Sequence, residues 1–465
     1  MDWGIKTVEI YFKFWCRAIL NLFVIISRCQ NSHMKKYQLI LGAFITLLFS
    51  YSNQIVAQSS DFKNLDHYLQ SEIKAGRLKG VHAAVYQNGK LAYDHFYGFR
   101  DVEAKDPMQG NEEYFIQSMT KPIVTVGLMK LVEAGKIKLD DPIEKYLPEF
   151  ANVTVVNDPK IGSKTGSHPA NASITIRQIL SHTSGLSHGI SPIPYDREIF
   201  NTAFNLSIKT LAERISKIAT LPLMFQPGTK FTYSLSVDVT ARIIEVVSGK
   251  PLDVYLKENI WDPLGMKHTG YNLNEGQTKR EMMVYDFKAD STLTRALGQP
   301  KPNNNTLFPG VNGLFSTTHD YMLFAEMLLN KGSLNGVRIL KPATVDLMTT
   351  TVTDELSTKT KVNSNFIHAA NGLVVDGMGT LNLEPGYDFG LGLCVLKDPS
   401  IPKRDNAAKG EFFWSGANAT HFFVNPSQKL VAVFMTQIGF MPNRNPYGFY
   451  FGDEFRKNIY MDIKN

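Results

Sequence analysis

Cysteine is nearly absent from this chain. Of 465 residues only Cys16, Cys29 and Cys394 are cysteines. The first two fall in what reads as a leader, so an exported mature form has no internal disulfide. Clusters of Cys and His are missing, as is a His-Glu-x-x-His pattern, so neither a metal nor a cofactor is expected. No apolar run reaches the roughly 20 residues that a comfortable membrane span needs. A strong excess of charge is lacking too: 49 Lys and Arg face 43 Asp and Glu. Residues 1–57 carry six of the basic and two of the acidic groups, which leaves the remainder at +2. That is no footprint for nucleic acid, and no nucleic-acid partner is expected.

What is present is an ordinary globular mixture, 43% hydrophobic and 20% charged. It is enough for a large core, and the length fits two or three domain-sized units. From Met34 the chain reads as a secretory signal over residues 34–57. Lys35 and Lys36 form its basic part, Leu39 to Phe49 its apolar part, and Ala57 the last residue before cleavage. Residues 1–33 hold a second short apolar run, AILNLFVIIS, and read as an extension ahead of the true start. A periplasmic or secreted protein beginning near Gln58 is the expectation. The alternative is an uncleaved anchor, with the membrane contacted only through this N-terminal segment.

Beyond the leader, FKNLDHYLQSEIKA has helical periodicity. GVHAAVYQNGKLAYDHFYGF then reads as two strands joined at Asn88-Gly89, a strong hairpin signal. The middle is helical in pattern: ITIRQIL, LSIKTLAERISKIATL, VDVTARIIEVVSG and LDVYLKENIW, separated by Pro/Gly loops. After Gly310 come a helix, HDYMLFAEMLLNKG, and the strand-like runs YDFGLGLCVL and FFWSGANATHFFVNPSQKLVAVFMTQ, with GDEFRKNIYMDI as a closing helix. Strands at both ends with helices between predict an α/β domain built from 58–150 and 305–465, interrupted by a helical domain at 151–304.

The stretch SMTKP, from Ser118, carries the chemistry. On a helix, residues three apart share a face, so Lys121 Nζ can reach Ser118 Oγ. Pro122 is tolerated only in a first turn, which places Ser118 at the helix start. The residues that follow are apolar nearly all round, so the helix is buried. Its positive end favours negative charge developing near the serine, and an apolar setting disfavours the ammonium form of the lysine, which suits a base. Alone, S-x-x-K is a weak signal, since serine is a common helix cap.

Two further motifs follow in order. Tyr233-Ser234-Leu235 lies between a Pro-Gly turn and a helix, and Trp414-Ser415-Gly416 leads toward an apolar strand. Together with LSHTSGL, PGVNGLFSTTHDYMLFAEMLLNKG and GYDFGLGL, they resemble the serine β-lactamase and penicillin-binding-protein superfamily, and more closely its β-lactamase-like (family VIII) carboxylesterases. The resemblance runs from about Leu65 to the C-terminus. It implies a β-lactamase/transpeptidase-like fold, a mainly antiparallel sheet flanked by helices with an all-helical second domain and the site in the cleft. It also implies Ser118 as the acylated nucleophile, Lys121 and Tyr233 as its proton-handling partners, and the N–H groups of Ser118 and Ala417 as the oxyanion hole. Leu235, Trp414, Ser415 and Gly416 would line the substrate. Two of these depart from the superfamily: Leu235 stands where an asparagine is usual, and Trp414 where a lysine is usual. An apolar pair suits a neutral ester better than the carboxylate of a β-lactam or peptide.

Other candidates read as structure. Gly185-Leu186-Ser187-His188-Gly189 fits G-x-S-x-G, but a helical run precedes it and Pro192 and Pro194 follow, whereas a nucleophile elbow needs a strand before and a helix after. Lys164-Thr165-Gly166 lies in a polar loop, ahead of Tyr233. His182 reads as a structural hydrogen-bonding residue, and His421 as a strand or pocket histidine. The expected function is an exported serine hydrolase acting on a small-molecule ester. The alternatives are a β-lactamase or D-alanyl-D-alanine peptidase-like enzyme, and a non-catalytic penicillin-binding-like protein.

Overall fold

A computed structural model describes residues 62–191, 193–288, 290–353, 368–370, 373–375, 381–383, 386–400, 407–439 and 450–463. The leader and extension read at residues 1–57 lie outside the described residues. Among the described residues no helix is long and apolar enough to cross a membrane.

The predicted N-terminal helix is α1, Lys63–Lys74. The predicted hairpin is β1, Gly80–Gln87, and β2, Lys90–Asp101, followed by the short β3, Asp106–Pro107. Asn88 and Gly89 both take positive φ, 52° and 83°, as a two-residue turn with right-handed strand twist demands. The nucleophile helix of the sequence reading is α2, Thr120–Glu133, preceded by a 3-10 turn at Gln117–Met119. Ser118 thus sits in the turn rather than in the α-helix, and Pro122 falls in the first helical turn, where it displaces no hydrogen bond.

In the middle stretch, α3 is Ile176–Leu180, α4 is Leu211–Ile218 and α5 is Ser236–Ser248. The first two start at reciprocal caps, Thr175 with Gln178 and Thr210 with Glu213. This stretch is not purely helical. Thr154–Val156 pairs with Ser167–Pro169, and Tyr285–Phe287 with Leu293–Arg295, each an antiparallel pair of short strands. Beyond it come α6, Thr318–Leu329, and the strands β4, Tyr387–Phe389; β5, Cys394–Leu396; β6, Phe412–Gly416; β7, Thr420–Asn425; and β8, Leu430–Met435. The closing helix is α7, Tyr450–Asp462.

One eight-stranded sheet in the order β4-β5-β6-β7-β8-β1-β2-β3 unites strands from both ends of the chain. Every neighbouring pair is antiparallel. Both β7 and β8 are buried along their whole length, because helices cover both faces. Strand alternation shows this directly. Phe422 meets Tyr321 of α6 on one face, with ring centroids 5.0 Å apart, while Phe423 meets Phe455 of α7 on the other, 6.2 Å apart. The two terminal helices are joined. The Asp462 carboxylate accepts from the N–H groups of Asn64 at 3.0 Å and Leu65 at 2.9 Å, taking up orphan donors at the positive end of α1.

Candidate active site

Three of the residues read from the sequence meet at the start of α2. Ser118 Oγ lies 2.8 Å from Tyr233 OH and accepts from Lys121 Nζ at 3.0 Å. The serine is half-buried, Tyr233 buried, and Lys121 only 1% exposed. Gln117, just before the serine, takes φ 48°, a left-handed conformation that costs a non-glycine residue on the order of 1 kcal/mol.

The lysine is held by more than the serine. Its Nζ donates to the Val311 carbonyl at 2.7 Å and lies 4.7 Å from the centre of the Tyr233 ring. Burial lowers the pKa of Lys121 from 10.5 to about 7, against the opposing pull of the Asp238 carboxylate. Burial acts the other way on Tyr233: it pushes the phenol well above its ordinary value, only partly offset by the hydrogen bond with Ser118. So the lysine, and not the tyrosine, titrates near neutrality.

A loop that the sequence reading set aside supports the tyrosine. Ser187 follows α3 through a turn and sits 4% exposed in a loop, not between a strand and a helix. Its carbonyl accepts from Leu235 N–H at 3.2 Å, and the His182 carbonyl accepts from Thr232 N–H at 3.0 Å. His182 Nδ1 lies 2.8 Å from Ser234 Oγ, and Ser184 Oγ lies 2.8 Å from Ser236 Oγ. The loop and the Tyr233 segment are therefore laced together on both sides of the tyrosine. Burial drops the pKa of His182 to about 3, with the nearby Lys121 adding to the shift, so it stays neutral. Lys164 and Thr165 form an exposed 3-10 turn.

The remaining motif residues divide. The Trp414 ring centroid is 5.6 Å from that of Tyr233, and 5.5 Å from that of Phe389. Ser415, next in the strand, points to the opposite face, where its Oγ lies 2.8 Å from His421 Nδ1 on the side covered by Phe455. Gly416 has a steric reason: a Cβ there would come within 2.3 Å of the Ile116 carbonyl, so only glycine lets β6 lie against the turn that carries Ser118. Ala417 follows, half-buried, and among the described residues neither its N–H nor that of Ser118 is taken up by a backbone acceptor. Leu235 is fully buried at the start of α5.

Sequence reasoning missed His188, Asp238 and Val311. His188 stacks on Tyr233 with centroids 4.8 Å apart and planes within 10°. Val311 lies in the PGVNGLF stretch, but its role is played by the backbone, and Asp238 is marked only as a carboxylate between two valines in the first turn of α5, a signal of a buried partner. Among the described residues, His82, Asp94 and His319 bring ligand-type atoms within 4.8 Å of one another. There each imidazole Nε2 already pairs with a different oxygen of the Asp94 carboxylate, at 2.7 and 2.8 Å.

Comparison with known proteins gives the same picture. Protein Rv1367c of Mycobacterium tuberculosis is 34% identical over 371 residues, 78% of this chain and 86% of that protein. Esterase EstB of Burkholderia gladioli is 33% identical over 210 residues, 44% of this chain and 50% of its own. The solved structure of EstCE1, a hydrolase with promiscuous acyltransferase activity, superposes with a TM-score of 0.69 at 24% identity, covering 87% of this chain and all of that one. That likeness is of fold: a large antiparallel sheet with flanking helices, as the sequence predicts. The family model described as Beta-lactamase matches residues 64–452, which takes in α1 but for its first residue, the sheet and every residue of the site. With the serine-lysine turn, the tyrosine loop and strand β6 all inside that match, the chain belongs to the beta-lactamase family.

Proposed function

We propose that this protein is an exported serine hydrolase that cleaves small carboxylic esters through an acyl-enzyme on Ser118. The observation that carries the reading is the contact of Ser118 Oγ with both Lys121 Nζ and Tyr233 OH, with burial holding the lysine near pH 7. A neutral Lys121 still donates to the Val311 carbonyl while its lone pair takes the Ser118 proton. The serine oxygen then bonds to the ester carbon, and the N–H groups of Ser118 and Ala417 face the oxyanion. As the carbon–alkoxide bond breaks, the proton held by Lys121 returns to the leaving oxygen, directly or through the Tyr233 hydroxyl. Water repeats the sequence on the acyl-serine and releases the acid. Because the Tyr233 phenol is pushed upward, it serves as a relay in neutral form, not as the resting base.

An ester is favoured over a carboxylate-bearing substrate because aromatic rings line the tyrosine. Trp414, His182 and His188 surround it, and burial keeps both histidines uncharged. Arg295, which could otherwise supply a cation, donates to Asp101 at 3.0 Å. The relation to EstB, an esterase, points the same way. The test is a side-by-side assay of a short-chain nitrophenyl ester and a chromogenic cephalosporin. Preferred turnover of the ester supports the reading. Preferred turnover of the cephalosporin would make the protein a β-lactamase, and inertness toward both would make it a binding protein.

A further inference from the structure

Lys121 rests on a chain of groups that reaches through the helical region. Its Nζ donates to the Val311 carbonyl at 2.7 Å, and the Val311 N–H in turn donates to Asp238 Oδ1 at 2.9 Å. The other carboxylate oxygen, Asp238 Oδ2, accepts from Arg214 Nη1 of α4 at 3.0 Å. This ion pair is buried, with side chains 7% and 0% exposed. The loop carrying Val311 is pressed onto α5: a Cβ on Gly310 would lie 2.1 Å from the Val237 carbonyl. The buried Tyr271 OH also holds this loop by donating to the Pro309 carbonyl at 2.7 Å.

A buried ion pair gains little stability over a well-packed apolar pair of the same size. Its retention here calls for another reason, and its position supplies one. We propose that Asp238 is a positioning residue for Lys121: it fixes the Val311 peptide that receives the lysine amine and is the buried negative charge that faces it. Arg214 keeps the carboxylate aimed, by donating to its other oxygen. The inference rests on the reading of Ser118 and Lys121 as the reacting pair.

The charged and titratable groups around Lys121 are few. Ser118 and Tyr233 contact it, Asp238 faces it from α5, Arg214 stands behind that carboxylate on α4, and His182 and His188 face it from the loop after α3. Burial holds both histidines neutral, so Asp238 is the negative group in the set, and its field raises the lysine's proton affinity. Loss of that field lets burial act unopposed, and the lysine gives up its proton at lower pH.

Two variants isolate the effect. Asp238→Asn keeps an acceptor for the Val311 N–H and removes the charge. The double variant Arg214→Gln/Asp238→Asn removes both charges and leaves no unpaired guanidinium inside. The direct readout is the titration of Lys121 followed by NMR of 13Cε-labelled lysine, assigned with Lys121→Met. The second readout is the pH dependence of Ser118 labelling by a fluorophosphonate. Both variants are expected to titrate below the wild type, the single one by about one pH unit or more and the double one by less because a positive charge leaves with the negative one, and the acid limb of labelling to move with each. A merely structural role for Asp238 would lower labelling at every pH without moving its midpoint. An unchanged Lys121 midpoint in the folded double variant overturns the proposal. Failure of the wild type to label at Ser118 would overturn the hydrolase reading, while the NMR titration would still decide the role of Asp238.

Discussion

His188 lies face to face with Tyr233, their ring centroids 4.8 Å apart and their planes within 10°. Burial holds this histidine well below its ordinary pKa, so it is a neutral plate against the phenol and not a proton carrier. An aromatic pair of this kind contributes about 0.5–1.5 kcal/mol beyond its burial. His188→Ala is therefore expected to lower kcat/KM for an ester by about three- to tenfold. His188→Phe should restore most of the loss. Measuring kcat/KM from pH 5 to 8 for all three forms checks this, and a limb that vanishes in both variants would make His188 a proton carrier instead.

Ser118→Ala is expected to abolish ester turnover and phosphonate labelling, a loss of about three orders of magnitude or more. Ser187→Ala should leave both largely intact, since Ser187 contributes its carbonyl, not its hydroxyl, to the Leu235 N–H. Intact-mass and peptide analysis after labelling reads both variants together. A label on Ser187 would be incompatible with the proposed site.

The depressed pKa of Lys121 has a stability consequence with a definite sign. In the unfolded chain this lysine titrates near 10.5, in the folded one near 7. Between those values the unfolded state binds more protons, so folding stability rises with pH across that window. Below about pH 7 the full cost of burying the ammonium applies, on the order of 5 kcal/mol. Relative to Lys121→Met, the wild type should gain roughly 3 kcal/mol between pH 7 and 9.5. Urea unfolding of both proteins at the two pH values measures the difference. No gain would mean the lysine is already charged or well solvated in the fold.

Substrate choice should follow the missing cation. A charge-assisted contact to a substrate carboxylate is typically worth about 1.5–3 kcal/mol. kcat/KM for a short neutral ester should exceed that for a cephalosporin by at least about tenfold. Trp414→Lys is expected to narrow the gap by improving the cephalosporin reaction. If the variant only damages ester turnover, the tryptophan acts through its ring contact with Tyr233 and not through substrate charge.

Export makes its own prediction. N-terminal sequencing of the natural protein should begin near Gln58, and fractionation should find it outside the cytoplasm. Recovery of Met1, or of any residue from 2–33, would refute the cleavage reading.

Much of the site was legible because its chemistry is local. Ser118 and Lys121 are three apart, Pro122 fixes which end of the helix they occupy, and Asn88-Gly89 admits few alternatives to a turn. Ser415 shows the limit. A period of two says that it and Trp414 face opposite ways, but not which of them faces Tyr233. That depends on the helices covering each face. The support of Lys121 was hidden for a different reason. Val311 and Asp238 are 73 positions apart, and a backbone amide leaves no mark in a sequence. The two short strand pairs inside 151–304 were masked by the helical runs around them, since three-residue strands are too brief to show a period.

The tie between Asp462 and the start of α1 joins residues 398 positions apart, and β1 finds its neighbour β8 only near the end of the chain. Loop closure on that scale is slow, and the contact order is high. A ribosome must release almost the whole polypeptide before the central strand can be paired on both edges. Until then β1 presents a bare apolar ladder that a partner strand of another molecule could capture. This is a late-folding topology. It makes the yield of native protein depend on how long the newborn chain is kept from its neighbours.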